Sequence, residues 1–189
     1  IMDTGPIHQF SLTSKAEQLL VYSKEVTNMQ SDISAISPSS LEHIGIVVKD
    51  IDKTVKFLSS ALGLGPWRVF ETVEYYKDKM KLDELGLGEP FKLKLAFARL
   101  GTILVELLQP LEGRSVYSQF LETKGEGLHH IAFSVSDFDV VVSKLEGHGC
   151  RIIAGGFAEG KRWAFFDAKS GGIIVEPLDN FRVGDQVGV

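Results

Sequence analysis

The sequence is short of cysteine, of basic charge and of long apolar runs. Its single cysteine, Cys150, excludes a disulfide within the chain and is compatible with a reducing compartment. The 20 Lys and Arg are outnumbered by 25 Asp and Glu, and no extended basic face exists to favour nucleic acid or an anionic membrane. No apolar run approaches the roughly 20 residues that span a bilayer, and no secretory signal pattern opens the sequence. We therefore expect a cytoplasmic protein whose partner is a small molecule.

The composition is that of a globular chain, with 44% hydrophobic residues among 189. The first forty residues have a different sequence pattern from the rest. There "SKAEQLLVYSKEV" predicts a helix that starts at a capping box, and "SDISAISPSS" predicts a polar linker. We expect an appended helix and linker over 1–40, a main domain over 41–180 and a tail over 181–189, with no functional site in 1–40.

The main domain contains an internal repeat. The segments "HIGIVVKDIDKTVKFLSSALGLG" from His43 and "HIAFSVSDFDVVVSKLEGHGC" from His130 share a His, an alternating strand, an Asp seven residues later and an amphipathic helix ended by Gly. Three strand-like runs then follow in each half, "GPWRVFETV", "FKLKLAFARL" and "TILVELLQP" against "RIIAGGF", "KRWAFFDA" and "GIIVEPLD". The pattern predicts two βαβββ modules, over 41–110 and 126–180.

The last strands of the two modules also match each other. Aligning "VELLQP" with "VEPLD" places Glu106 beside Glu176. The interval from His to Glu is about 17 residues longer in the first half, an excess that fits the polar insertion "EYYKDKMKLDELGLGEP". Each module therefore carries one His and one Glu at equivalent places.

A carboxylate inside an apolar strand such as "ILVELL" needs a partner, because burying an unpaired charge costs several kcal/mol. Two His and two Glu, His43, Glu106, His130 and Glu176, related by a pseudo-twofold axis, suit a divalent transition metal. Neighbouring residues of a strand point to opposite faces. We therefore expect His129 on the face opposite His130, in a hydrogen-bonded role.

The pair "LEHIGIVVKDID" and "GLHHIAFSV", the run "VELLQPLEGRSVYSQFLETKGEGLHHIAF" and the ending "GKRWAFFDAKSGGIIVEP" resemble the vicinal oxygen chelate superfamily, most closely its methylmalonyl-CoA epimerases. The resemblance implies an α+β fold in which the modules form one cupped mixed sheet, and commonly a homodimer. It also implies that His43, Glu106, His130 and Glu176 hold a divalent metal ion (Zn, Ni, Co, Mn or Fe).

By the same resemblance, the expected activity is that of an epimerase or isomerase that abstracts the proton alpha to a thioester carbonyl, with an acyl-CoA as substrate. Glu176 is expected to serve as the catalytic base as well as a ligand. Epimerisation needs a second acid–base group, but the middle strand "FKLKLAFARL" carries Lys92 and Lys94 and no carboxylate. Glu89 is the nearest candidate for that role.

Two other functions fit the same residues. A glyoxalase-I-like lyase uses the same ligand set on a glutathione hemithioacetal, and a non-catalytic member would hold a ligand without metal chemistry. A ring-cleaving dioxygenase fits less well, because its sites use two His and one carboxylate. The run after Glu106 favours the epimerase. Lys161 and Arg162 are open to two interpretations, as contacts to an anionic substrate tail or as a solvated strand entrance.

Overall fold

The structure is a computed structural model that describes residues 41–75, 90–158, 161–168, 171–180 and 182–188. The predicted helix and linker of 1–40, and Glu89, lie outside the described residues. Within those ranges, no helix has the length and apolar character needed to cross a membrane.

Eight strands and four helices make up the described chain. In chain order they are β1 (Leu41–Val47), α1 (Ile51–Leu62), β2 (Arg68–Tyr75), β3 (Phe91–Leu100), β4 (Ile103–Glu112), α2 (Val116–Lys124), β5 (Gly127–Val135), α3 (Phe138–Gly147), β6 (Arg151–Ala158), β7 (Lys161–Asp167), β8 (Ile174–Asp179) and α4 (Val183–Val187).

All eight strands belong to one sheet, in the order β2-β3-β4-β1-β5-β8-β7-β6. β1 pairs in parallel with β4, and β5 pairs in parallel with β8, while β1 and β5 run antiparallel at the centre. The two halves are therefore related by a pseudo-twofold axis between β1 and β5. The predicted α+β fold, with two βαβββ modules in one mixed sheet, is confirmed.

The Asp that recurs seven residues after each His starts a helix. Asp50 accepts a hydrogen bond from the backbone of Lys53 at 3.0 Å, and Asp137 accepts one from Val140 at 3.0 Å, so each side chain caps its helix. α1 covers one apolar cluster on the outer face of the sheet, and α3 covers a second.

The opposite face of the sheet holds one core that both modules share. It joins β3 and β4 of the first module, through residues such as Leu93 and Leu104, to Ala154 of β6 and Phe165 of β7. Strands from both ends of the sheet meet in this cluster, so the sheet curls around it. We call this side the concave face.

Two helices, α2 and α4, were not predicted from the sequence. The loop between the modules contains α2, which starts at Ser115, where the Ser115 and Ser118 side chains each accept a hydrogen bond from the other's backbone. Ser118 occupies the position where a capping box usually has Glu or Gln, so the signal was missed. The predicted tail contains the short helix α4.

Candidate metal centre

Four buried polar side chains, one from each of the four central strands, lie at equivalent places of the two modules. On β4, Leu104 and Leu108 belong to the concave core while Val105 and Leu107 pack under α1, so the strand's alternation carries Glu106 to the concave side. The same alternation places His43 on β1, His130 on β5 and Glu176 on β8 there. All four are buried, with 1 to 9% of their surface exposed.

The side chains converge on one point. The Nε2 atoms of His43 and His130 are 3.0 Å apart, and Oε2 of Glu176 lies 3.2 Å from each of them. Oε2 of Glu106 lies 3.3 Å from the His43 nitrogen and 3.4 Å from the His130 nitrogen. Metal–nitrogen and metal–oxygen bonds of about 2.0–2.2 Å put neighbouring ligand atoms about 3 Å apart, so these separations fit ligands of one ion.

Glu176 has a buried carboxylate oxygen whose negative charge a bound cation would neutralise. Its Oε2 is buried and lies 3.2 Å from both imidazoles, but no group among the described residues donates a well-aligned hydrogen bond to it. A buried anionic oxygen in that state is costly. The ligand atoms of His43, His130 and Glu176 all lie within 4.8 Å of one another, and they form a possible metal site.

The cluster shifts the pKa values of its members. Burial alone would lower the pKa of His43, but its contacts with Glu106, Glu176 and Glu42 outweigh burial and raise the pKa well above 6.5. Burial raises the pKa of Glu106, yet His130 and His43 overcome this and bring it down to about 2. Glu106 is therefore anionic at neutral pH and a poor proton acceptor.

Two β-bulges flank the cluster, one beside each histidine. Glu42 is the extra residue of β1 between the pairs Leu41↔Phe133 and His43↔Ala132, and His129 is the extra residue of β5 between the pairs Gly45↔His130 and Ile46↔Leu128. A bulge bends the strand and leaves its extra residue outside the regular alternation. Each extra side chain consequently reaches the histidine that follows it.

The prediction that His129 lies on the opposite face from His130 was wrong. Their Nδ1 atoms are 3.0 Å apart, and both rings pack against Phe165. The bulge is the physical reason, because it removes the alternation on which the prediction rested. The expected hydrogen-bonded role is present, and burial followed by the field of His130 lowers the pKa of His129 to about 3, so the ring is neutral.

A cavity of about 550 Å³ adjoins His129. Its walls come from α2, β6, the end of β7 and the start of β8, and include Val116, Phe120, Lys124, Arg151, Ile153 and Ile174. A space of this size accommodates a small molecule.

Comparison with known proteins places the chain in a family. The family model of the Glyoxalase/Bleomycin resistance protein/Dioxygenase superfamily matches residues 42–166, which include three of the four converging residues. The chain belongs to this superfamily.

The chain is also similar to individual proteins. The Bacillus subtilis protein YqjC is 33% identical over 140 residues, which cover 72% of this chain and 89% of YqjC. The mouse mitochondrial methylmalonyl-CoA epimerase is 28% identical over 174 residues, covering 87% and 89%. A solved methylmalonyl-CoA epimerase in complex with methylmalonyl-CoA and NH4+ is 26% identical, with a TM-score of 0.52 over 75% of this chain and 94% of that one.

One residue of this superfamily member that the sequence analysis missed is Glu42. Its Oε2 is 2.7 Å from Nδ1 of His43, and Glu42 is itself buried. In sequence it is only an acidic residue beside a strand histidine, which alternation assigns to the other face. The bulge that turns it round depends on pairing with β5, so no local signal could have identified it.

Lys94 of β3 points to the outer face of the sheet, the side that α1 covers. Lys94 is buried, and its Nζ lies 2.9 Å from Asp52 of α1 and 2.9 Å from Glu71 of β2. Its neighbours Ala96 and Ala98 on the same side of β3 pack under α1. Lys94 therefore links α1 to the sheet through Asp52 and also pairs with Glu71, a carboxylate of the neighbouring strand β2.

Arg162 is already engaged by acidic side chains. It donates from Nε to Asp179 at 2.7 Å and from Nη1 to Asp139 at 2.7 Å, and it lies over the ring of Phe138. These bonds raise its pKa. Of the two interpretations for this residue, the structure favours a structural role over contact with an anionic substrate tail.

Proposed function

We propose that this protein is a divalent-metal-dependent isomerase, most similar in action to a methylmalonyl-CoA epimerase, that removes the proton alpha to a thioester carbonyl of an acyl-CoA. The observation that carries the proposal is the buried convergence of two imidazoles and two carboxylates on the concave face. Similarity to the epimerases across most of the chain supports the choice of substrate class.

His43, Glu106, His130 and Glu176 are proposed to hold the ion, which belongs to the group Zn, Ni, Co, Mn and Fe. Two imidazoles with two carboxylates suit such ions, and the two negative charges balance a divalent cation. When bound, the ion supplies Lewis acidity that makes a proton next to a carbonyl removable at neutral pH.

The two carboxylates are suited to different tasks. Glu106 is held anionic by both histidines, and its pKa of about 2 makes it a ligand rather than a base. Glu176 has a buried oxygen to which no described protein group donates a hydrogen bond, so as a ligand that can dissociate it could accept a proton. We propose Glu176 as the base on one side of the substrate carbon and Glu89 as the acid–base group on the other.

The test is exchange of the alpha hydrogen in deuterated water. Metal-loaded protein is mixed with methylmalonyl-CoA, and incorporation of deuterium is followed by mass spectrometry. Exchange is expected to depend on the metal and to stop on chelation. Because a general base typically contributes about 10² to 10⁴ in rate, Glu176→Gln should slow exchange by that order in protein whose metal content has been verified.

Two carboxylate variants test the second acid–base group. Glu89→Gln is expected to abolish epimerisation, with Glu71→Gln as the control, since Glu71 is held by Lys94. If Glu71→Gln alone lost activity, Glu89 would be the wrong assignment.

Parallel assays address the alternatives to the epimerase. Turnover of methylglyoxal with glutathione, in place of methylmalonyl-CoA exchange, would favour the glyoxalase-I-like lyase. If the metal-loaded protein were inactive on both substrates, a non-catalytic binding protein would be the remaining hypothesis. A homodimer and a cytoplasmic location remain predictions, and light scattering of the purified protein tests the former.

A further inference from the structure

The Glu42 carboxylate joins two parts of the molecule that are distant in sequence. Its Oε2 contacts Nδ1 of His43 at 2.7 Å, and its Oε1 accepts a hydrogen bond from the backbone nitrogen of Gly184 at 3.3 Å. Glu42 has 7% of its surface exposed, so its charge relies on these protein partners rather than on water. These two contacts, from Gly184 to Glu42 and from Glu42 to His43, connect helix α4 to the candidate metal centre.

Other contacts hold α4 against the protein. Val183 and Val187 pack on the concave core, which also contains Val47 of β1, and Arg68 at the start of β2 donates to the backbone oxygen of Val187 at 3.2 Å. Gly184 is buried at this junction. The segment that contains α4 therefore has attachments of its own and can hold Glu42 in place.

The direction of the hydrogen bond follows from ligation. If Nε2 of His43 offers its lone pair to an ion, the ring proton must be on Nδ1, which then donates to the Glu42 carboxylate. Such a partner orients the ring and increases its basicity as a ligand. On β5, the other bulge residue, His129, contacts Nδ1 of His130 with an imidazole in place of a carboxylate. The two halves of the site thus have different supports.

We propose that Glu42 is a positioning residue for His43 and that α4, through the Gly184 amide, holds Glu42 in its working orientation. The affinity of the centre for a divalent ion then depends on docking of the C-terminal segment. This inference rests on the proposed metal site, and it adds residues outside that site that set its affinity for the ion.

The experiment measures the affinity of the full-length protein for Co²⁺ by competition with a chromophoric chelator, together with the visible spectrum of the bound Co²⁺. Loss of an outer partner of a ligand typically costs about 10- to 100-fold in metal affinity. Glu42→Ala is expected to lose affinity in that range, and Glu42→Gln to lose less because its amide oxygen can still accept from Nδ1. Glu126→Ala is the control, since Glu126 also accepts a backbone hydrogen bond from a residue distant in sequence, Lys49, but is not one of the residues that contact the candidate metal centre.

The contribution of α4 is tested by removing one hydrogen-bond donor. Gly184→Pro lacks the amide proton, and proline is tolerated in the first turn of a helix. Gly184→Ala retains the donor and controls for the added carbon. Gly184→Pro should lower Co²⁺ affinity and shift the Co²⁺ spectrum, whereas Gly184→Ala should change both far less.

A double-mutant cycle separates this role from a general loss of stability. In a Glu42→Ala background, Gly184→Pro should have little further effect on Co²⁺ affinity, because the carboxylate it acts through is gone. Fully additive losses, or wild-type affinity in Glu42→Ala, would overturn the inference while leaving the metal site intact. Absence of stoichiometric Co²⁺ binding by the wild type would overturn the proposed metal site itself.

Discussion

Gly45 and His130 are direct partners across the β1–β5 ladder, and the His130 ring occupies the space that a side chain at position 45 would need. A Cβ at position 45 would overlap the ring atoms of His130. In the same ladder His43 pairs with Ala132, which has a Cβ, whereas His130 pairs with a glycine. Gly45 thereby allows His130 to approach His43.

Gly45→Val is expected to displace the His130 ring and to lower divalent-metal affinity by at least about tenfold, which is the smallest effect usual for a misoriented ligand. Titration with Co²⁺ measures this. Gly147→Val, at an exposed position where an added Cβ meets no atom within 4 Å, is the control. Unchanged affinity in Gly45→Val would mean that His130 needs no such space.

Glu106→Ala should lose most of the metal that we propose Glu106 helps to hold, because the change removes a ligand oxygen together with one of the two negative charges proposed to balance a divalent cation. The loss should exceed the roughly 10- to 100-fold that removal of an outer partner costs. Metal content after dialysis against a weak chelator gives the answer. Glu112→Ala, on the exposed end of the same strand, should retain metal; retention by Glu106→Ala as well would remove Glu106 from the proposed set of ligands.

His130→Phe should abolish metal binding, while His129→Phe should weaken it by about 10- to 100-fold, since His129 contacts the proposed ligand His130 and is not itself proposed as a ligand. Phenylalanine preserves the ring packing against Phe165. His148→Phe, at the exposed end of α3, is the control. Equal losses in the first two variants would contradict the assignment of His130, rather than His129, as the ligand.

Lys94→Met is expected to remove a stabilising effect that disappears at alkaline pH. Hydrogen bonds to Glu71 and Asp52 raise the pKa of Lys94 above its ordinary value of 10.5. The charged form is thus favoured in the folded state, so its stabilisation is complete below about pH 10.5 and is lost as the pH rises through the higher folded-state pKa.

The free energy of unfolding in urea should therefore fall more steeply above pH 10.5 in the wild type than in Lys94→Met. Both carboxylates are exposed, so the difference should be at most about 1 kcal/mol. Lys56→Met, on the exposed side of α1, should keep the wild-type profile. Parallel pH profiles for wild type and Lys94→Met would show that the ion pairs contribute nothing.

Much of the architecture could be predicted from local pattern. Alternation identified the strands, and the repeated spacing from His to Asp identified the start of each following helix, because Asp50 and Asp137 cap the helices of their own segments. The alignment of Glu106 with Glu176 also followed from pattern, since strand alternation fixes which face a side chain takes once its neighbours are buried. These features depend on interactions between residues a few positions apart.

What the sequence by itself determined is therefore the two βαβββ modules and the identity of the four side chains that the sheet brings together. Only the tertiary structure decided the surroundings of those side chains. The bulges that turn Glu42 and His129 toward the histidines arise where β1 pairs with β5, and the Gly184 contact arises where α4 docks beside β1. Pairing between strands eighty or more residues apart sets such a register shift, and no local periodicity encodes it.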